Sequence, residues 1–287
     1  MRSTTDRQAA PRVLPNPQAG AFRPSLAHLR PVHRPRIVRS AESTSRAWSV
    51  LREGSKTGGW MRAIPSKEAI PQGRPIAGGT EMQRSERIRA PRLRTARLRL
   101  EQLRPSDAAL MWEAVQESRR SLARWMPWVA GSVSSDDMAA FVRRTRRSPR
   151  DLAWGIWPAG RAGAYGGTVG LHAIYPSQGT AMIGYWVRQR FAGCGHASEA
   201  AAAVILWAFA ELGLERLEVS AATGNAASLR VIEKLGFVRE GRLRHAQRIP
   251  GRRRRLDWFV ASLIRSDLRR QRRGLRALTG AARPWES

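Results

Sequence analysis

Cysteine is almost missing: Cys194 is the single one among 287 residues. One thiol closes no intrachain disulfide and builds no cysteine-rich zinc site, which points to a reducing compartment and disfavours a metal enzyme. Histidine is sparse as well, at His28, His33, His172, His196 and His245, and no two of these have the paired helical spacing of a metalloprotease. Long apolar runs are lacking. The longest, Ala200 to Ala210, is too short to cross a bilayer as a helix, and Met1 to Gly20 has no apolar centre of the kind a secretory signal needs. The expected location is therefore the cytoplasm, with no membrane partner. Lysine is largely replaced by arginine, remaining only at Lys56, Lys67 and Lys234, a bias that fits a GC-rich genome.

What is abundant is positive charge, with 51 Lys+Arg against 22 Asp+Glu for a net +29. It is spread unevenly: +11 over residues 1–90, +7 over 91–150, +3 over 151–250 and +8 over 251–287. Phosphate polymers or acidic peptides would therefore be drawn to the ends. In residues 1–90, Pro, Ser, Arg and Gly break every apolar cluster before it completes a strand or helix period, so this stretch is expected to be a disordered basic extension. It reads either as an Arg-rich transit segment or as a dispensable addition. Residues 91–268 carry the patterning of one folded domain. Residues 269–287 read as a basic, solvated tail, since Arg269 to Arg276 has no interleaved aromatics.

Within the domain, Leu98 to Leu103 alternates as a strand. A helix from Ser106 to about Glu117 follows, then a second from Asp136 to Arg147, announced by the Ser134/Asp137 capping box. Trp154 to Pro158, Thr168 to Ile174 and Ala181 to Val187 read as an antiparallel meander with glycine at its turns. His196 to Leu212 is apolar nearly all round, hence a buried helix. Leu217 to Ala221 is a strand, and Asn225 caps a helix over Ala226 to Leu235 that Gly236 ends. Two strands, Phe237 to Ala246 and Leu256 to Ile264, close the domain around Pro250-Gly251. The order β-α-α-β-β-β-α-β-α-β-β predicts an α+β fold with helices packed on a mixed sheet.

Between the strand ending at Val187 and the helix opening near His196 lies Phe191-Ala-Gly193-Cys-Gly195-His-Ala197-Ser198. A glycine-bearing turn into a helix can aim several backbone N–H groups at one anion, with the helix dipole in favour, and a diphosphate is a natural occupant. A dinucleotide-binding Rossmann turn fits poorly, because its third glycine falls on Ser198 and the strand ends too early. Ile183-Gly-Tyr-Trp-Val187, this loop, Asn225-Ala-Ala-Ser228 through Gly236-Phe237 and Glu240-Gly-Arg-Leu-Arg244 follow in order, with Arg124-Trp-Met-Pro-Trp128 earlier, between the first two helices. Together they closely resemble GNAT-superfamily N-acetyltransferases of the RimJ/RimL kind, over roughly Leu93 to Leu268.

The resemblance implies a mostly antiparallel GNAT sheet with helices on both faces and acetyl-coenzyme A as the acetyl donor. It implies that the strand Ala181 to Val187 splays from its neighbour and that its backbone near Trp186, Val187 and Arg188 holds the pantetheine arm. Gly193, Cys194, Gly195, His196, Ala197 and Ser198 would then hold the diphosphate. It further implies Ser228 as the proton donor to the leaving thiolate, with Asn225 helping to place cofactor or substrate. The chain departs from the family in two places. Ala192 stands where Arg or Gln is usual, leaving Arg188 or Arg190 as substitute cations, and Cys194 stands where a basic residue is usual, beside a helix N-terminus that lowers a thiol pKa.

A carboxylate found in some members is Gln247 here, which leaves His245, His172, Glu218 or a water chain as the base. A feeble base favours an α-amine, roughly 10% neutral at pH 7, over a lysine amine that costs roughly 4.6 kcal/mol to deprotonate. The expected acceptor is thus a protein or peptide N-terminus, ribosomal by the resemblance. The alternatives are a small antibiotic-type amine, or a degenerate domain that binds RNA through its arginines. Arg252 to Arg255 at a hairpin tip and Arg143 to Arg150 at a helix end could form a basic rim for an acidic protein or RNA. Trp125, Trp128, Trp154 and Trp157 are candidates for an acceptor groove, with core packing the default for each.

Overall fold

The computed structural model describes residues 88–161 and 163–280. The disorder expected for the N-terminal extension thus falls outside the described residues up to position 87, as does the end of the C-terminal tail from position 281. The strands are β1 (Leu93–Arg94), β2 (Leu98–Gln102), β3 (Leu152–Pro158), β4 (Gly167–Tyr175), β5 (Thr180–Val187), β6 (Arg216–Ala222), β7 (Val238–Gln247) and β8 (Leu256–Ile264). The helices are α1 (Ala108–Leu122), α2 (Trp128–Gly131), α3 (Ser135–Arg147), α4 (His196–Glu211), α5 (Ala226–Lys234) and α6 (Arg265–Thr279). The strands form one sheet in the order β1-β2-β3-β4-β5-β6-β8-β7, antiparallel at every junction except the parallel pair β5–β6. This is the α+β architecture that the pattern predicted.

Two cores follow from the alternation of the strands. Leu98 and Leu100 of β2, Ile183 and Tyr185 of β5, and Leu217 and Val219 of β6 face α4, whose stretch Ala200 to Phe209 is buried throughout. The other face carries α1, α2 and α3 over Ala153, Tyr165 and Trp186. Local chemistry sets the ends of these elements. Ser134 Oγ accepts from Asp137 N while Asp137 Oδ2 accepts from Ser134 N at 2.9 Å, the capping box that starts α3. Gly236, at φ +80°, turns the chain out of α5.

The tail is the main correction. From Arg265 the chain forms α6, with Asp267 accepting from Ile264 N at its start. Leu268, Leu275 and Leu278 pack into the α4 core, and Thr279 O accepts from Ala96 N at 2.8 Å. The arginine run hid this period: leucines at i, i+7 and i+10 are enough to seat a helix even when most other positions are charged. A solvated tail would tolerate Leu275→Ala. As a buried anchor, the substitution should cost about 2–4 kcal/mol, read as a lowered urea midpoint of the full chain.

Candidate active site

The parallel pairing of β5 with β6 lasts only from Thr180↔Arg216 to Met182↔Glu218. Beyond it both strands continue, each held on its outer side: β5 stays paired with β4 as far as Gly167↔Val187, and β6 with β8 as far as Ala222↔Trp258. The two therefore part, and their facing N–H and C=O groups are left without a partner strand. The end of β5 is drawn toward α1 by Arg188, which is 3% exposed and donates to Glu117 (2.7 Å) and Glu113 (2.5 Å).

That observation corrects the expectation for Arg188. Its guanidinium is committed to carboxylates and does not serve as a free cation for a phosphate. Arg190 shares the same partner, donating to Glu117 Oε2 at 2.5 Å, and the hydrogen bonds from these arginines pull the Glu117 carboxyl down to about 2. Trp186 also departs from the simple expectation. Its ring turns into the opposite core against Trp128 and Tyr165, with centroids 6.1 and 5.9 Å away, so only its main chain faces the gap.

The glycine loop lies past the open end of β5. Gly193 and Gly195 take φ of +79° and +83°, the left-handed region that favours glycine, and Gly195 is the N-cap of α4. Among the described residues the amides from Gly193 to Ser198 find no acceptor; the first that does is Glu199, donating to Gly195 O at 3.0 Å. This cluster of unsatisfied donors sits at the positive end of a long helix.

Arg97 braces the loop, a role that sequence reasoning missed. Its Nε donates to Glu199 Oε2 at 2.7 Å, its main-chain N to Glu199 Oε1 at 3.0 Å, and its Nη1 to Cys194 O at 3.0 Å. Thr95 Oγ1 adds a bond to Glu199 Oε1 at 2.6 Å. Glu199, at 2% exposure, is thereby satisfied in the core, while half of Arg97 remains in solvent beside Gly195. No motif carries this signal; the one hint is a glutamate inside an otherwise apolar helix, which demands a cation from elsewhere. Cys194 is exposed. The His196 ring rests against Phe191, and burial first, then the charges of Arg97 and Arg161, hold its pKa below the usual histidine range.

Across the gap stand Asn225 and Ser228. Asn225 Oδ1 accepts from Ser228 N at 3.2 Å, so Asn225 is the N-cap of α5 and fixes the first turn on which Ser228 stands. Tyr185 of β5 reaches over to this turn, its hydroxyl 3.2 Å from Ser228 Oγ and 3.3 Å from Ser228 O. Burial pushes the Tyr185 hydroxyl up to about 12, so it stays protonated at neutral pH. Sequence reasoning quoted Tyr185 only as part of Ile183-Gly-Tyr-Trp-Val187 and gave it no role; strand alternation, which puts it on the face of Ile183 and Val187, is the signal that could have found it.

The bases considered from sequence are scattered. His172 lies at the closed end of the gap, in register with Met182 and 3.6 Å from Asp151. His245 is exposed, and Glu218 is paired with Arg216 at 2.9 Å. Gln247 is 8% exposed and donates to Arg248 O. Of the four tryptophans, Trp154 and Trp128 are core residues, Trp157 packs on Tyr165, and Trp125 alone approaches the site, 3.4 Å from where a Cβ on Gly224 would lie, with Arg252 above it.

These features match known proteins. The Acetyltransferase (GNAT) domain family model covers residues 97–238. YdaF of Bacillus subtilis, named for a proposed ribosomal N-acetyltransferase activity, is 32% identical over 160 residues, which are 55% of this chain and 86% of that protein. In fold the chain resembles RimL, the ribosomal L7/L12 alpha-N-protein acetyltransferase solved with coenzyme A, at a TM-score of 0.55 and 21% identity, over 59% of this chain and 95% of RimL. Mycobacterium smegmatis RimJ, solved with a CoA-disulfide, gives a TM-score of 0.56 at 22% identity, over 64% and 90% of the two chains. The chain belongs to the GNAT acetyltransferase family and is an acetyltransferase.

Removing Arg97 leaves the buried Glu199 carboxylate without its counter-charge and frees the loop. Arg97→Ala should lower stability by about 3 kcal/mol, measured by urea unfolding. A second expectation concerns His196, whose ring senses the charge at the loop. Its NMR titration midpoint should lie below the usual histidine range and rise when coenzyme A is added, because phosphate charge beside the ring favours its protonated form.

Proposed function

We propose that the protein transfers an acetyl group from acetyl-coenzyme A to the α-amine of a protein N-terminus, with a ribosomal protein as acceptor. The observation that carries this reading is the parted β5–β6 pair bridged by Tyr185 and Ser228. An elongated thioester carrier suits such a gap: the open main chain of β5 through Val187 offers amide partners for the pantetheine arm, and the unsatisfied amides from Gly193 to Ser198 offer donors to the diphosphate. Arg97 and Arg161 provide the positive charge that Ala192 lacks. When bound, acetyl-coenzyme A supplies the activated acyl group and a thiolate leaving group.

The residues of the chain then divide the remaining work. Ser228 Oγ–H is placed to hold the proton that the departing sulfur takes up, and Tyr185, a protonated donor in a buried setting, steadies that hydroxyl. Asn225 holds the turn in place. The acceptor preference follows from the carboxylates on this half of the sheet. Glu240 is held at about 2, chiefly by its hydrogen bonds from Arg216, and Asp257 is held low by His245 N and Arg242. Carboxylates so depressed are weak bases, and Gln247 is none, so an amine that is already partly neutral reacts most readily. An α-amine near pKa 8 meets this demand at a cost of roughly 1.4 kcal/mol, against roughly 4.6 kcal/mol for lysine. The names of YdaF and RimL support a ribosomal acceptor.

Thiol release from acetyl-coenzyme A should therefore depend on added peptide and be fastest with free α-amines of ribosomal-protein N-termini. Faster acetylation of internal lysines, or of small amines alone, overturns the acceptor assignment. Ser228→Ala should lower kcat about 100-fold or more while coenzyme A affinity is retained. Tyr185→Phe should lower kcat by less, about 10-fold. Wild-type turnover in Ser228→Ala removes Ser228 as the proton donor.

A further inference from the structure

On α6, Arg269, Arg272, Arg273 and Arg276 stand at i, i+3, i+4 and i+7, so they share one flank of the helix, and all four are exposed. None has an acidic partner among the described residues, whereas Arg265 is paired with Glu215 at 2.8 Å and Arg270 with Asp267. Like charges at these spacings repel and weaken a helix. The leucine side of α6 is already packed against α4, so the helix cannot lay an apolar face into a lipid surface, as a membrane-bound amphipathic helix does. The stripe also lacks the aromatic or aliphatic anchor around which protein interfaces concentrate their energy. What remains is a row of guanidinia one helical turn apart, suited to a chain of phosphates. The bond from Ala96 N to Thr279 O brings the end of α6 beside the start of the described domain.

We infer that this flank of α6 is a docking surface for the phosphate backbone of RNA. The choice of RNA rests on the ribosomal acceptor proposed above: a docking helix would hold the enzyme on the particle that presents the N-terminus. The contact is electrostatic and sequence-independent, so its signature is salt dependence rather than base preference.

The test uses the full-length chain, fluorescence anisotropy with a labelled RNA hairpin, and salt from about 50 to 200 mM. Substituting Arg269, Arg272, Arg273 and Arg276 together by Gln should weaken binding at least about tenfold and make the slope of log K against log salt shallower by about 3. The same four changed to Lys should keep both. Changing Arg252 to Arg255 to Gln removes equal charge and should leave RNA affinity within about twofold. Equal losses in the two Gln variants would overturn the assignment to α6. Binding as tight to phosphatidylglycerol vesicles would overturn the choice of RNA. Coenzyme A binding by calorimetry, measured on each variant, reports folding and the acetyltransferase site separately, so failure of that site and failure of the docking surface are told apart.

Discussion

The site depends on a sheet that is paired on both flanks and unpaired in the middle. A parallel pair that stops at Met182↔Glu218 would ordinarily be a frayed edge, since main-chain donors and acceptors rarely go without partners. Here each strand is pinned by an antiparallel neighbour along its whole length, so the gap cannot close by sliding one strand toward the other. The buried Arg188 ties the end of β5 to α1 and maintains the divergence. Everything attributed to the site, from the bridge between Tyr185 and Ser228 to the open main chain beside the glycine loop, needs that separation.

The arginines divide by what they face. Arg188 and Arg190 are consumed by Glu113 and Glu117 and act as structural ties. Arg97 does two things at once: it neutralises the buried Glu199 and it carries positive charge alongside Gly195. The helix dipole, the unsatisfied amides and the exposed part of Arg97 therefore add in one place, where an anion gains from all three. Carboxylates on β7 and β8 are similarly spent on arginines, which leaves this half of the sheet rich in charge and poor in bases.

Much of the fold was readable because local rules agreed with one another. The Ser134/Asp137 box, the Asn225 cap, the Gly236 stop and the alternation in β2, β5 and β6 each specified an element to within a few residues. Reading failed where the cause lay elsewhere in space. Arg269 to Arg276 looked like solvated charge because the three leucines that dock α6 find their partners on α4. Arg188 looked like a free cation because its carboxylates sit 71 and 75 residues earlier in the chain. Trp128 and Trp154, groove candidates with core packing as the default, lie in two separate cores.

By itself the sequence determined the element order, the left-handed glycines before α4, the cap on α5 and the family likeness, all of which depend on spacing over a few residues. Tertiary structure decided which arginine stands half-exposed beside the glycine loop and which is buried in an ion pair. It also placed Tyr185 against Ser228 across 43 residues and made a helix of the basic end. The division has a physical cause. Caps and turns are settled by neighbouring dihedral angles and hydrogen bonds, whereas the work a charge or hydroxyl does is set by partners and burial that exist only once the sheet has formed.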